Sequence, residues 1–339
     1  MASASPSPVG SPASGTRPDP RWKSSGTQSN KPNPSSDGGP DAQSLGSPLP
    51  QILWALQIPL YISHASQSSS TTAVGPFIVS VPRFSYLALL LPRLTAYFGL
   101  PCSSFHHEEI QLRNLAVGLL VDLYQPTTLP WRLVVGDGPE WDIADTFTNS
   151  AKEADFVRNG NAKQIMSLSK EHSTALWNAV QDSTLLLFKC VWREGGEGGR
   201  LRVTIPMIEL LTNNALPQDD YASFSKVNSR LLNTPTPLKN VPLRIYVPSS
   251  PSGDANDAAA GSFKVVQTLV PPRLPNRTVQ TLGGALKTVL PTLFPSSRDP
   301  ILAQIILHGG PVPFRAPLEE LMREAAYPDG WLCLCVVLL

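Results

Sequence analysis

Five histidines, His64, His106, His107, His172 and His308, and many serines are the side chains here that could act as base and nucleophile in a hydrolase. None has a context that would activate it. The chain lacks a Gly-x-Ser-x-Gly nucleophile turn, and His107-Glu108-Glu109 lacks the second histidine of a zinc-protease helix. The pair His106-His107 reads as a polar loop, and His308 before Gly309 as a strand end. Cys102, Cys190, Cys333 and Cys335 have no paired zinc spacing. Cys333 and Cys335 alternate with leucines, so a strand would turn both thiols to one face, as small apolar side chains for burial. The glycine cluster Gly195-Gly196-Glu197-Gly198-Gly199 lacks the strand-to-helix setting of a phosphate loop and reads as a connection. The residues therefore suggest neither a metal, a cofactor nor an independent catalytic centre.

The elements that would position any site follow from composition and pattern. With 339 residues, two or three compact units are expected. The formal net charge of +1 gives no global attraction to nucleic acid or an anionic membrane, so partners must be read through local surfaces. The scattered cysteines in so large a chain point to a reducing compartment. Met1-Ala2-Ser3-Ala4-Ser5-Pro6 has neither the basic patch nor the apolar core of a secretory signal. The apolar runs at 86–91 and 331–339 are far shorter than the roughly 20 residues that span a bilayer. Asn276-Arg277-Thr278 is thus expected to be an accidental glycosylation match.

Residues 1–48, rich in Ser, Pro and Gly, offer little to bury and read as a disordered low-complexity tail. A short amphipathic helix around Trp54 opens the next unit, 49–140. Strands are expected at 58–62 and 77–81, a helix over 84–98, and strands at 118–123 and 131–135. Residues 141–194 carry helical spacing in Ile143, Phe147, Ala151 and Ala154, then in Leu176, Trp177 and Val180 behind Ser169 as a cap, with 185–192 continuing it. A loop-rich insertion is expected over 195–240. In the last unit, 241–339, strands are expected at 241–247, 263–270, 304–308 and 331–338, with a helix from Thr281 and a shorter one at 318–325. Strand-strand-helix-strand-strand is the order of a ubiquitin-like (β-grasp) domain, shared by many small α+β domains, and two such blocks around a helical block make an α+β fold of two ubiquitin-like domains flanking a helix-rich domain the expectation.

Particular strings sharpen this reading. They are Trp54 before Ile58-Pro59, 81–87 (VPRFSYL), 118–123 (GLLVDL), Leu129-Pro130-Trp131, Lys152-Glu153-Ala154-Asp155, Leu176-Trp177, Arg244-Ile245-Tyr246, Thr281-Leu282, His308-Gly309 and Tyr327-Pro328-Asp329. In this order, nearly end to end, the chain resembles the autophagy-related protein 5 family. Ala116 stands where that family has proline, Gly330-Trp331 where Asn-Phe is commoner, and the 195–240 insertion is longer.

The resemblance implies a covalent role for Lys152. It would accept autophagy-related protein 12 through an isopeptide bond, with Glu153 and Asp155 flanking the amine to orient it or to meet the enzyme. Lysine amines are almost wholly protonated at neutral pH, so that enzyme must assist proton loss. The resemblance further implies noncovalent binding of autophagy-related protein 16 near Trp54, Ile58 and Pro59. It implies contact, through the conjugate, with the conjugating enzyme for autophagy-related protein 8, whose lipid attachment the conjugate promotes. Cytoplasmic location with peripheral attachment to the preautophagosomal structure membrane follows, with no nucleic acid. The chain is expected to be an acceptor and not a modifier, because Cys335-Val336-Val337-Leu338-Leu339 is not a flexible tail ending in glycine. The rival reading is a tandem ubiquitin-like adaptor that binds its partners only noncovalently.

Overall fold

The computed structural model describes residues 49–67, 74–138, 143–189, 218–233, 237–249 and 263–339. The expected tail, the glycine cluster, Cys190 and residues 190–192 lie outside them.

The first sheet orders β1 (Gln57–His64), β2 (Phe77–Pro82), β3 (Ser104–His107), β4 (Ile110–Gln111) and β5 (Trp131–Gly136) as β2-β1-β5-β3-β4. β1 runs parallel to β5, with Leu60 opposite Trp131 and Ile62 opposite Leu133, and antiparallel to β2. Strict alternation in β1 turns Ile58, Leu60, Ile62 and His64 inward. They meet Leu94 and Phe98 of helix α2 (Leu91–Phe98) and Val117 and Leu120 of helix α3 (Val117–Tyr124) in one apolar core.

Three expectations for this unit change. The helical run over 84–98 is divided: Tyr86 bridges Ala116, a 3₁₀ turn covers Leu87–Leu90, and α2 begins at Leu91. Pro92 in the first turn suits this start, since its missing N–H has no helical partner there. The strand expected at 118–123 is α3. An apolar run this short has no decisive period, and helical winding puts Gly118 and Asp122 one turn apart on the side facing Arg83. Gly118 is required there, because a Cβ would come within 2.1 Å of Arg83 Cγ. Finally, His106 and His107 belong to β3 and not to a loop; β3 is a short strand paired with both β4 and β5.

The second sheet, β6 (Leu243–Pro248), β7 (Phe263–Gln267), β8 (Ala303–Leu307), β9 (Gly310–Pro311) and β10 (Leu332–Leu338), repeats that order as β7-β6-β10-β8-β9. Its central pair, β6 and β10, is again parallel. Thr281 caps α8 (Leu282–Val289), its side chain accepting from Gly284 N. α9 spans Leu318–Ala325 as expected.

Between the sheets lie α4 (Ile143–Asn159), α5 (Lys163–Met166), α6 (Lys170–Lys189) and α7 (Gln218–Leu232). Ser169 caps α6, its Oγ accepting from His172 N at 3.2 Å. Part of the expected loop-rich insertion is α7, whose Phe224, Val227 and Leu231 join Leu176, Ala179 and Val180 of α6 in the core. That core is continuous through the helical block and the second sheet and also takes in Trp54 of α1 (Leu49–Ala55) and Phe84. No helix of the described residues is long and apolar enough to cross a membrane.

Candidate functional site

Two arrangements of polar side chains stand out, one around Lys152 and one at the seam between the sheets. Lys152 lies on the outward row of α4 and is exposed, its amine 3.5 Å from Asn149 Oδ1; among the described residues it has no ion-pair partner. The opposite row is anchored. Ser150 Oγ donates to Asp329 Oδ2 at 2.7 Å, and Trp331 Nε1 donates to the Ser150 carbonyl at 2.9 Å. Arg244 of β6 donates to Ser150 Oγ and to Glu153 Oε2, both at 2.9 Å, with its guanidinium 3.9 Å from the centre of the Trp331 ring. Burial raises the Asp329 pKa, against the opposing pull of Arg244 and Ser150. Gly330 turns this corner at φ +85°, in the left-handed region that glycine and asparagine share.

The two flanking carboxylates have different surroundings. Glu153 is engaged by Arg244 rather than by the Lys152 amine. Asp155 does not reach the surface: fully buried, it accepts from Asn159 Nδ2 at 2.7 Å and from Ile165 N at 3.0 Å, fixing α5 against α4. The helical period explains this, since position i+3 from an exposed residue at the edge of an amphipathic stripe turns inward.

Two of the residues expected to contact a partner lie in the interior. Trp54 is 7% exposed, stacked on Phe224 at 4.7 Å between ring centres and tilted against Phe84 and Tyr221. Ile58 is buried in the first core, and Pro59 is half-buried in β1. Trp54 thus ties the first unit to the helical block and Ile58 packs inside the first unit, so neither offers a free face. On α1 the exposed apolar side chains are Leu49 and Ile52, with Leu56 just beyond.

The seam was not expected as a site. Arg83 forms a buried ion pair with Asp122 and donates to the Gly118 carbonyl at 3.0 Å. Its Nε donates to His308 Nδ1 at 3.2 Å, while His308 Nε2 lies 2.8 Å from the Ala325 carbonyl. A carbonyl only accepts, so Nε2 carries the proton, Nδ1 accepts, and the ring is neutral. Burial, with the Arg83 charge adding to it, lowers the His308 pKa to about 4. Phe84 lies edge-on to His308 and Tyr327, at 5.3 and 5.5 Å between ring centres. Every side chain of the seam sits in a string that carried the resemblance. What the sequence could not give was that strings 225 residues apart would meet.

Among the described residues the hydrolytic candidates do not assemble. Ser169 Oγ lies 2.7 Å from His172 Nδ1, but Arg230 Nη1 is 2.9 Å from His172 Nε2. Arginine can only donate, so Nε2 accepts and the proton sits on Nδ1, which cannot then take one from the serine. Burial pushes the Cys333 and Cys335 thiols up and away from reactive thiolate. Among the described residues no group of three or more His, Cys, Asp or Glu could hold a metal ion.

Against known proteins, three family descriptions match in turn: Autophagy protein ATG5, UblA domain, over 53–136; alpha-helical bundle region, over 140–193; and UblB domain, over 240–336. Autophagy protein 5 of Chaetomium globosum is 72% identical over 306 residues, covering 90% of this chain and 95% of that one. The chain belongs to the autophagy protein 5 family. Autophagy-related protein 5 of Neurospora crassa is 61% identical, covering 86% of this chain and 72% of the other; that of Gibberella zeae is 56% identical, covering 87% and 100%. The crystal structure of Kluyveromyces marxianus Atg5 shares the fold, with a TM-score of 0.57 at 19% identity over 85% of this chain and 99% of that one. Membership in the autophagy protein 5 family assigns the chain a role in autophagy. It also identifies its two sheets as the ubiquitin-like domains around the helical bundle.

Proposed function

We propose that this chain is a non-catalytic acceptor and scaffold of autophagy, and that Lys152 is the amine joined to autophagy-related protein 12. The observation that carries this reading is the contrast within α4: Lys152 projects freely while Ser150, Glu153 and Asp155 on either side are tied down. A rigidly held helix presents the amine to an incoming donor at little entropic cost. In the transfer, Nζ attacks the carbonyl carbon of the thioester between the modifier and its conjugating enzyme. The C–N bond forms as the C–S bond breaks, the thiolate leaves, and the amine gives up its proton. Glu153, engaged by Arg244, is not competing for the ammonium.

The conjugate then binds autophagy-related protein 16 noncovalently. It acts as a ligase-like factor toward the conjugating enzyme of autophagy-related protein 8, promoting its attachment to phosphatidylethanolamine. The assembly works in the cytoplasm and peripherally at the preautophagosomal structure membrane. The residue boundaries 49–140, 141–194 and 241–339 serve as the working division of the chain.

The test is a denaturing gel and intact mass of the protein from its native cell. Lys152→Arg should abolish the adduct, while Lys163→Arg and Lys170→Arg retain it. An adduct that persists in Lys152→Arg removes the assignment. An unmodified wild-type chain in cells with active autophagy leaves the noncovalent adaptor.

A further inference from the structure

The two ubiquitin-like domains do not close completely where they meet. A cavity of about 200 Å³ lies between α3 of the first and the outer face of the second sheet. Its wall is ring-rich and apolar: Tyr124, Tyr246 and Phe263, with Ile110, Leu123 and Pro248. The rings are mutually ordered, with Phe263 5.7 Å from Tyr246 and 6.4 Å from Tyr124 between centres, both edge-on. Phe263 is backed by the Arg113 guanidinium, 4.7 Å from its ring centre.

One polar atom there is unaccounted for. Tyr124 Oη is buried and, among the described residues, has no hydrogen-bond partner, a condition that costs free energy and that a ligand could relieve. Among the other polar wall groups, burial keeps Tyr246 and Cys335 neutral, and Asp122 is already neutralised by Arg83. An anion would meet the Asp122 carboxylate, and a cation would find that carboxylate taken and Arg113 nearby. Size narrows the choice further. An apolar cavity of about 150 Å³ takes benzene, so 200 Å³ suits one ring or a fused pair and is too small for most drug-sized ligands.

We propose that this seam is a binding site for a small neutral aromatic molecule, of phenol to indole size, whose one polar group hydrogen-bonds to the Tyr124 hydroxyl. The ligand's ring lies among Tyr124, Tyr246 and Phe263 in offset or edge-on contact. Because the walls come from both domains, an occupied site holds the two sheets together. This inference does not depend on the Lys152 reading.

The experiment is calorimetric titration of the full chain with indole, and separately with toluene, which has the ring but no polar group. Wild type should bind indole once, saturably, with a submillimolar Kd. Ile110→Trp, which adds bulk to the wall from β4, should weaken indole at least tenfold. Tyr124→Phe, which removes one oxygen and leaves the ring, should weaken indole about fivefold and leave toluene unchanged. The thermal unfolding midpoint of each variant verifies that it folds; should Ile110→Trp not fold, Tyr124→Phe decides alone. No saturable indole binding by wild type, binding undiminished in folded Ile110→Trp, or equal indole affinity in Tyr124→Phe would each overturn the proposal.

Discussion

The two ubiquitin-like domains share one strand order but differ in what they do with the outer sheet face. In the first, β1 alternates half-buried and buried residues, and Ile78 of β2 is 51% exposed. In the second, β10 is buried from Leu332 to Val336 on both faces. Leu332 and Leu334 face Leu243 and Ile245 across the strand pair and join Leu286 of α8 in the core, while Cys333 and Cys335 pair with Arg244 and Tyr246 on the opposite side. That opposite side is the one closed by α3, by α4 and by the Arg244–Trp331 contact. A fold that presents one sheet as a surface thus uses the other as an internal wall, and the continuous apolar run of β10 marks the difference.

The comparison can be broken at its hinge. Asp122→Ala leaves the Arg83 charge buried without its partner and should cost about 3–5 kcal/mol in urea unfolding. A loss under 1 kcal/mol would mean that the two domains are joined mainly by apolar contact.

A second way to test the seam is by pH. His308 has a folded-state pKa of about 4, below its unfolded value of about 6.5, so the unfolded chain binds the extra proton between those values. Stability should therefore rise with pH from 4 to 6.5 and be lost as pH falls through that window, with a slope of at most about 1.4 kcal/mol per pH unit. Asp122 and Asp329, whose pKa values burial raises, act with the opposite sign, stability falling as pH rises through their titration. The clean readout is the difference between wild type and His308→Gln in urea unfolding at a series of pH values. A difference that does not change across the window refutes the histidine term.

The smallest effects sharpen the contrast between the faces. Cys335→Ser introduces a hydroxyl into the closed face and should cost about 1–2 kcal/mol. Ile78→Thr, on the open face of the first sheet, should stay within about 0.5 kcal/mol. Equal costs by thermal unfolding would show that both faces are covered in solution.

Much of this was legible along the chain, because periodicity is a local property. β1, β2, β5, β6, β8, β10, α4, α6 and α9 were all readable from alternation or from the 3.6-residue period, and Ser169 and Thr281 were readable as caps. The ordered strings were enough to carry the family. Lys152 could be expected on a helix surface because its apolar neighbours set the phase of α4.

Other features depended on partners far away. The run at 118–123 has no clear period of its own, and it is helical because Arg83 demands Gly118 and Asp122 on one side. Trp54 reads as a surface anchor until α7, from a segment that looked like loop, covers it. Asp155 reads as a neighbour of the acceptor until α5 supplies the amide that it binds. In sum, the sequence by itself determined the elements, the duplicated order of strands and the family, because each rests on residues close together in the chain. Only the tertiary structure decided which faces are open, which charges are neutralised and where the seam stays hollow, because burial and pairing join residues of different elements, as far apart as Arg83 and His308, 225 positions along the chain.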